Sequence, residues 1–240
     1  MRPTFKFIGT LLVLGLISSC GKDDVDRFLD EFYLPIIKPE DFVDTITNPL
    51  MPLRPGSKFT YHVQTDEGQE INEVTVTTST EKIMGVICSV ITDIVKNDKG
   101  DLVENTADWY AQDNEGNVWY FGENTSEYEN GKVVSTEGTW RAGVNGAQPG
   151  IIMPGKLMLG IPYRQEYLFN EAEDMAKVIS TTETVTVPFG TFTNCIETEE
   201  WTPLEPGVVE HKYYATGIGY IKSVMTIGGN EVAELISMTN

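Results

Sequence analysis

Asp108-Trp-Tyr-Ala-Gln-Asp-Asn-Glu-Gly-Asn-Val-Trp-Tyr-Phe121 is a pair of aromatic runs around a polar turn. Tyr, Trp, Phe and Val suit a pleated, half-buried surface, and Asp113-Asn-Glu-Gly116 holds the residue types that reverse a chain. The stretch reads as a β-hairpin. With the turn centred on Asp113–Gly116, Tyr110 pairs with Trp119, and Trp109 and Tyr120 fall on the opposite face, because strand side chains alternate with period two. Both faces are then aromatic. One belongs to a core. The other is either covered by a further layer or forms a platform from Trp109, Tyr110, Trp119 and Tyr120, as suits stacking a sugar ring or holding an apolar ligand. Trp140, Trp201, Tyr163, Tyr167, Tyr213 and Tyr214 extend either surface.

The same pattern continues on both sides. Lys58–Val63, Glu73–Thr77, Val86–Val95 and Asp101–Tyr110 precede the turn as strands, with Asn97-Asp-Lys-Gly100 between the last two. Asn117–Phe121 returns from it, and Asn130-Gly131 suits a type I′ hairpin turn. Further strands are expected at Tyr163–Phe169, Ala176–Thr186, Phe192–Trp201, Val209–Ala215, Gly219–Thr226 and Glu231–Met238. Helical periodicity is almost absent. The expectation is an all-β domain, an antiparallel meander curled into a barrel, a half-barrel or a sandwich. Residues 141–162, rich in Gly and Pro with Ile151, Ile152, Met153, Leu157, Met158, Leu159 and Ile161 among them, read as a long apolar connection that plugs one end or covers a groove.

The N-terminus has a different character. Arg2 and Lys6 precede an apolar run from Phe5 to Ile17 that is too short to span the ~30 Å hydrocarbon core as a helix. It reads as a signal peptide over residues 1–19. Ile17-Ser18-Ser19-Cys20 resembles the lipobox of bacterial lipoproteins, which implies cleavage before Cys20 and a lipid, palmitate included, on its thiol. Gly21-Lys22-Asp23-Asp24 resembles an acidic signal that sends such lipoproteins to the outer face of the outer membrane. Asp44-Thr45-Ile46 resembles an O-glycosylation site of the same bacteria. Residues 20–50, acidic and broken by Pro35, Pro39 and Pro49, read as a tether before a β-rich domain at 51–240, or as a segment that packs Phe28, Phe32 and Tyr33 onto that domain. That domain resembles a broad group of secreted β-rich bacterial lipoproteins. The likeness rests on Asn48–Tyr61, Asp108–Asp113, Gly116–Gly122, Val187–Phe192 and Tyr213–Gly219. It implies a shared fold and carries no catalytic residues.

The formal net charge is −19, and removal of residues 1–19, which hold Arg2 and Lys6 but no acid, takes it to −21. That balance argues against a nucleic-acid partner, whose phosphates demand Lys and Arg. The expected partners are the membrane, through the lipid, and a glycan or apolar small molecule. Beyond Cys20 there remain Cys88 and Cys195, each in an expected strand, as two buried thiols or one disulfide. Asp113, Asn114 and Asn117 offer oxygen ligands at loop spacing, so Ca2+ is the one cofactor to consider, although a hairpin turn explains the same string. His62 and His211 lie in strands beside tyrosines, and no Gly-x-Ser-x-Gly elbow is present. Glu197, Glu199, Glu200, Glu205 and Glu210 cluster without the specificity of a catalytic pair. The sequence thus favours a non-catalytic binding or structural module, with a carboxylate-dependent hydrolase acting on polysaccharide as the alternative.

Overall fold

The computed structural model describes residues 33–66 and 68–239. The signal-peptide segment, Cys20, Gly21–Asp24, Phe28 and Phe32 lie outside the described residues. In chain order the strands are β1 (Phe42–Val43), β2 (Lys58–Thr65), β3 (Gly68–Ile83), β4 (Val86–Asn97), β5 (Leu102–Asp113), β6 (Val118–Glu129), β7 (Lys132–Ser135) and β8 (Trp140–Arg141). They continue as β9 (Gln148–Met153), β10 (Pro162–Arg164), β11 (Glu166–Tyr167), β12 (Met175–Val187), β13 (Gly190–Trp201), β14 (Val209–Ala215), β15 (Gly219–Ile227) and β16 (Val232–Thr239). A single 3-10 turn at Pro39–Asp41 is the one helical element among the described residues.

The wall runs β10-β12-β13-β14-β15-β16-β2-β3-β4-β5-β6-β9-β11. Two antiparallel meanders, β2 to β6 and β12 to β16, are joined where the last strand pairs with the first long one, Ala233 opposite Val63 and Thr239 opposite Lys58. At the other side the sheet almost closes on itself. The Tyr163–Phe169 stretch, expected as one strand, splits at Gln165: β10 pairs with β12 and β11 with β9. Consecutive residues therefore belong to the two opposite edges of the sheet. Gly150 permits this, because a Cβ there would run into the carbonyl of Gln165. The result is a nearly closed antiparallel barrel.

Alternation fills the interior. Phe59, Tyr61 and Val63 of β2 are buried while Lys58, Thr60 and His62 between them are less so. Val76, Val118, Ile221 and Leu235 are wholly buried, each worth ~1.5–3 kcal/mol of apolar transfer. The sixteen-residue β3 coils around the barrel through a register shift between Val76 and Thr80, where an irregular ladder lets a long strand bend.

Two segments depart from the tether and connection readings. Residues 33–50, the described part of the expected tether, pack on the barrel. β1 pairs with β5, Phe42 meets the edges of Phe121 at 5.6 Å and Trp119 at 6.3 Å, and Ile46 is 2% exposed. Gln112 Oε1 accepts from the backbone N–H of both Thr47 and Asn48 at 2.7 Å, fixing the chain as it enters the barrel. Thr45, in the glycosylation-like triplet, is exposed. Residues 141–162, expected as a connection, contribute β9 to the wall between β6 and β11; Met158, Leu159 and Ile161 remain exposed beside it.

Candidate functional site: an acidic chamber inside the barrel

The aromatic hairpin turns differently from its sequence reading. Asp113 N–H donates to Asn117 O, so the turn holds one residue more than Asp113–Gly116 allows. Tyr110 therefore pairs with Tyr120, and Ala111 with Trp119. Tyr110 and Tyr120 both point inward, stacked at 4.8 Å, with the Trp140 edge 5.3 Å from Tyr120. Trp109 and Trp119 are half-buried on the outer face, where Arg141 lies 5.1 Å over Trp109 and Phe42 covers Trp119. The four aromatics do not form one exposed platform.

Asp113 is the organiser of that turn. Its Oδ1 accepts from the N–H of Glu115 and Asn117, and its Oδ2 from Asn117 Nδ2 and Trp119 Nε1. Asn117 Oδ1 in turn accepts from Gly155 N–H, and Asn114 N–H donates to Asp41 O. With four donors on the Asp113 carboxylate, the Asp113, Asn114 and Asn117 string serves as a hairpin lock. No group of three acid, His or Cys side chains that could hold a metal ion comes together among the described residues. Cys88 and Cys195 are separate buried thiols, on β4 and β13, so the structure has no bridge between them. Burial pushes the Cys88 thiol up to about 12.

His211 and the glutamates divide between the two faces of the wall. Outside, His211 Nδ1 lies 2.9 Å from Glu197 Oε1, the same oxygen accepts from Tyr213 OH at 2.8 Å, and Lys177 pairs with Glu199. His62 sits opposite Glu234 on the same outer surface. Inside, Lys212 Nζ lies 2.8 Å from Glu200 and 3.4 Å from Glu210. Burial works against this ammonium, but the two glutamates outweigh it and hold its pKa above the usual lysine value. Glu205 belongs to the turn between β13 and β14.

The interior holds what the sequence reading missed. Between the two meanders lies a cavity of about 130 Å³. One part of its lining is apolar: Phe59, Val63, Val74, Ile91 and Ile152. Tyrosines Tyr61, Tyr110, Tyr214 and Tyr220 form a second part, with Tyr61 and Tyr220 rings 4.9 Å apart. The third part is charged, with Glu70, Asp93, Glu104, Asp108 and Glu231 against the single cation Lys212. Asp93 and Asp108 sit on neighbouring strands two positions apart in register, as Asp93 faces Thr106 and Asp108 faces Ile91. Tyr120 OH donates to Asp108 Oδ1 at 2.7 Å. Asp93 is 6% exposed and its Oδ1 has no hydrogen-bond partner.

Burying carboxyls side by side disfavours their charged forms. Burial, then the neighbouring Asp108, raises Asp93 to about 7, against a hydrogen bond with Asn72 that lowers it. Burial likewise lifts Asp108 and Glu210 to about 7 and Asp174 to about 8. Glu123 and Glu166, each 1% exposed, are pushed well above the ordinary glutamate value, again by burial first and then by neighbouring acids. Asp93, Asp108, Glu210 and Asp174 thus exchange protons near neutrality. A signal for them exists in the sequence: in Ile91-x-Asp93-x-Val95 and Glu104-x-Thr106-x-Asp108-x-Tyr110 the acids occupy the same alternation phase as core residues.

No family model and no curated protein matches the chain. Similar solved structures include a Bacteroides fragilis protein described as exported and as having a YmcC-like fold. It has a TM-score of 0.47 and 16% identity, covering 80% of this chain and 99% of that one. A second, from Parabacteroides distasonis and described as a lipoprotein, has a TM-score of 0.45 and 12% identity, covering 82% of this chain and 100% of that one.

Proposed function

We propose that the protein is a lipid-anchored, cell-surface lipoprotein of the outer membrane whose barrel holds a small ligand and catalyses no reaction. The anchor rests on the Ile17–Cys20 motif and the basic and apolar residues before it; the address rests on Gly21–Asp24. The binding reading rests on one observation, the interior cavity with apolar, tyrosine and charged portions of its lining. Pockets of this make-up, mostly apolar with a few convergent polar groups, are where proteins take small molecules. Its volume, about 130 Å³, is close to that of a cavity that accepts one benzene ring. It therefore suits a compact, partly apolar molecule better than a glycan chain. The same size speaks against a polysaccharide hydrolase working through the interior acids, since a chain needs a cleft on both sides of the scissile bond.

The test is a thermal-shift screen of the intact chain in detergent against small ring compounds, short glycans and Ca2+. A ligand at 100 times its Kd adds about 2.7 kcal/mol, which is several degrees of Tm at this size. A shift with compact ring compounds supports the interior site. Shifts confined to glycans would move the site to the outer surface, and no shift with any of the three would remove the binding reading.

A further inference from the structure

The cavity has a charge preference that its apolar walls alone do not convey. Five of its lining residues are carboxylic acids and one is a lysine, and that lysine is already held between Glu200 and Glu210. One of the five is Asp93. It is nine-tenths buried, it lines the cavity, and its Oδ1 has no partner within the protein. A buried polar atom of this kind is destabilising unless something answers it. Around Asp93 stand Tyr61 on β2, Asn72 on β3, and Asp108 and Tyr110 on β5. Two of these are aromatic rings, whose faces attract cations. None is a cation.

Resting on the interior-site reading above, we infer that the chamber's ligand is a small organic ammonium compound, seated with its charged nitrogen at Asp93 and its apolar body among the tyrosines and Ile91. The alternatives fit less well. An anion would meet the acids with Lys212 already engaged. A bare metal ion needs several ligands converging on one point, and no such group of three occurs among the described residues. A wholly apolar ligand would leave the Asp93 oxygen unanswered. An ammonium answers it with N–H donors, while Phe59, Val74 and Ile152 enclose the rest. Binding favours the ionised form of Asp93 and so displaces its proton.

The probes are benzylamine and cyclohexylamine, with benzyl alcohol and cyclohexanol as neutral counterparts, titrated calorimetrically into the intact chain in detergent. The amines should bind at least tenfold more tightly than the alcohols at about pH 8. Because Asp93 ionises around 7, amine affinity should weaken about tenfold between roughly pH 8 and 6, while alcohol affinity stays level. Asp93→Asn should abolish the amine preference and its pH dependence. Should that variant fail to fold, the wild-type pH profile tests the same claim. Equal affinity for amine and alcohol, or a flat amine profile, would overturn the ammonium assignment and leave the interior site standing. Silence with all four compounds would overturn both.

Discussion

Replacing Asp93 by asparagine should make the folded protein more stable in alkaline solution and leave it unchanged in acid. The side chains have the same shape, and Asn72 can still hydrogen-bond at this position. The difference is ionisation. The unfolded chain loses the Asp93 proton near the ordinary value of 3.8, whereas the folded barrel keeps it to about 7. Between those values the native state binds the proton and the unfolded state does not. Stability from this group is therefore fully present below about pH 4 and is lost progressively as the pH rises through about 7. A gap of about three pKa units corresponds to about 4 kcal/mol, a ceiling that relaxation of the chamber lowers. For a chain of this length that is roughly 10 °C of Tm. The assay is thermal unfolding followed by circular dichroism for both proteins, from about pH 4 to about pH 8. Taking the difference between them cancels the titrating groups that do not interact with Asp93 and leaves Asp93 with its coupled neighbour Asp108. The curves should coincide in acid and separate by several degrees in alkali, the variant higher. Parallel curves across the range would refute the argument that Asp93 is buried with a displaced proton equilibrium.

Three further outcomes follow from the packing. Tyr120→Phe removes the hydroxyl that donates to Asp108 at 2.7 Å, and should cost about 1–3 kcal/mol in a denaturant titration at neutral pH. Gly150→Ala drives a methyl group into the Gln165 backbone at the seam, and should destabilise by about 1–3 kcal/mol or more, with hydrogen exchange rising first in β9 and β11. Cys88 and Cys195 should both remain unmodified by iodoacetamide in the native protein and react in denaturant without prior reduction; a requirement for reductant would contradict two separate thiols.

The strands were legible wherever one face is buried and the other is not. β2, β4, β12, β14 and β15 begin within a residue of their sequence bounds, because period-two alternation is a local property. Four features are not legible in that alternation. The hairpin register depended on whether Asp113 caps a four- or five-residue loop, and a single residue moved Tyr120 to the inside and Trp119 to the outside. The break at Gln165 depended on which two edges meet, a matter of barrel closure that the run Tyr163–Phe169 does not contain. Residues 33–50 look like a linker by their prolines and acids, yet Phe42 covers Phe121 and Trp119, and Ile46 is buried. The chamber was hardest to see. Acids are usually read as solvent-facing, so the sequence draws attention to the run Glu197, Glu199, Glu200, Glu205 and Glu210 rather than to Asp93 and Asp108 in core phase; Glu197 and Glu199 do face outward, while Glu200 and Glu210 are buried inside.

The pairing of β16 with β2 has a bearing on how the molecule comes to be made. The first long strand waits for its neighbour until the last eight described residues exist, since Thr239 lies opposite Lys58. The β2–β6 meander can zip up as it is synthesised, but it does so with a raw edge at β2 and its acid-bearing inner face open to water. Only when the second meander arrives are those carboxyls walled in and their protons trapped. Closure thus waits on a pairing between strands far apart in sequence, of the long-range kind that folds slowly.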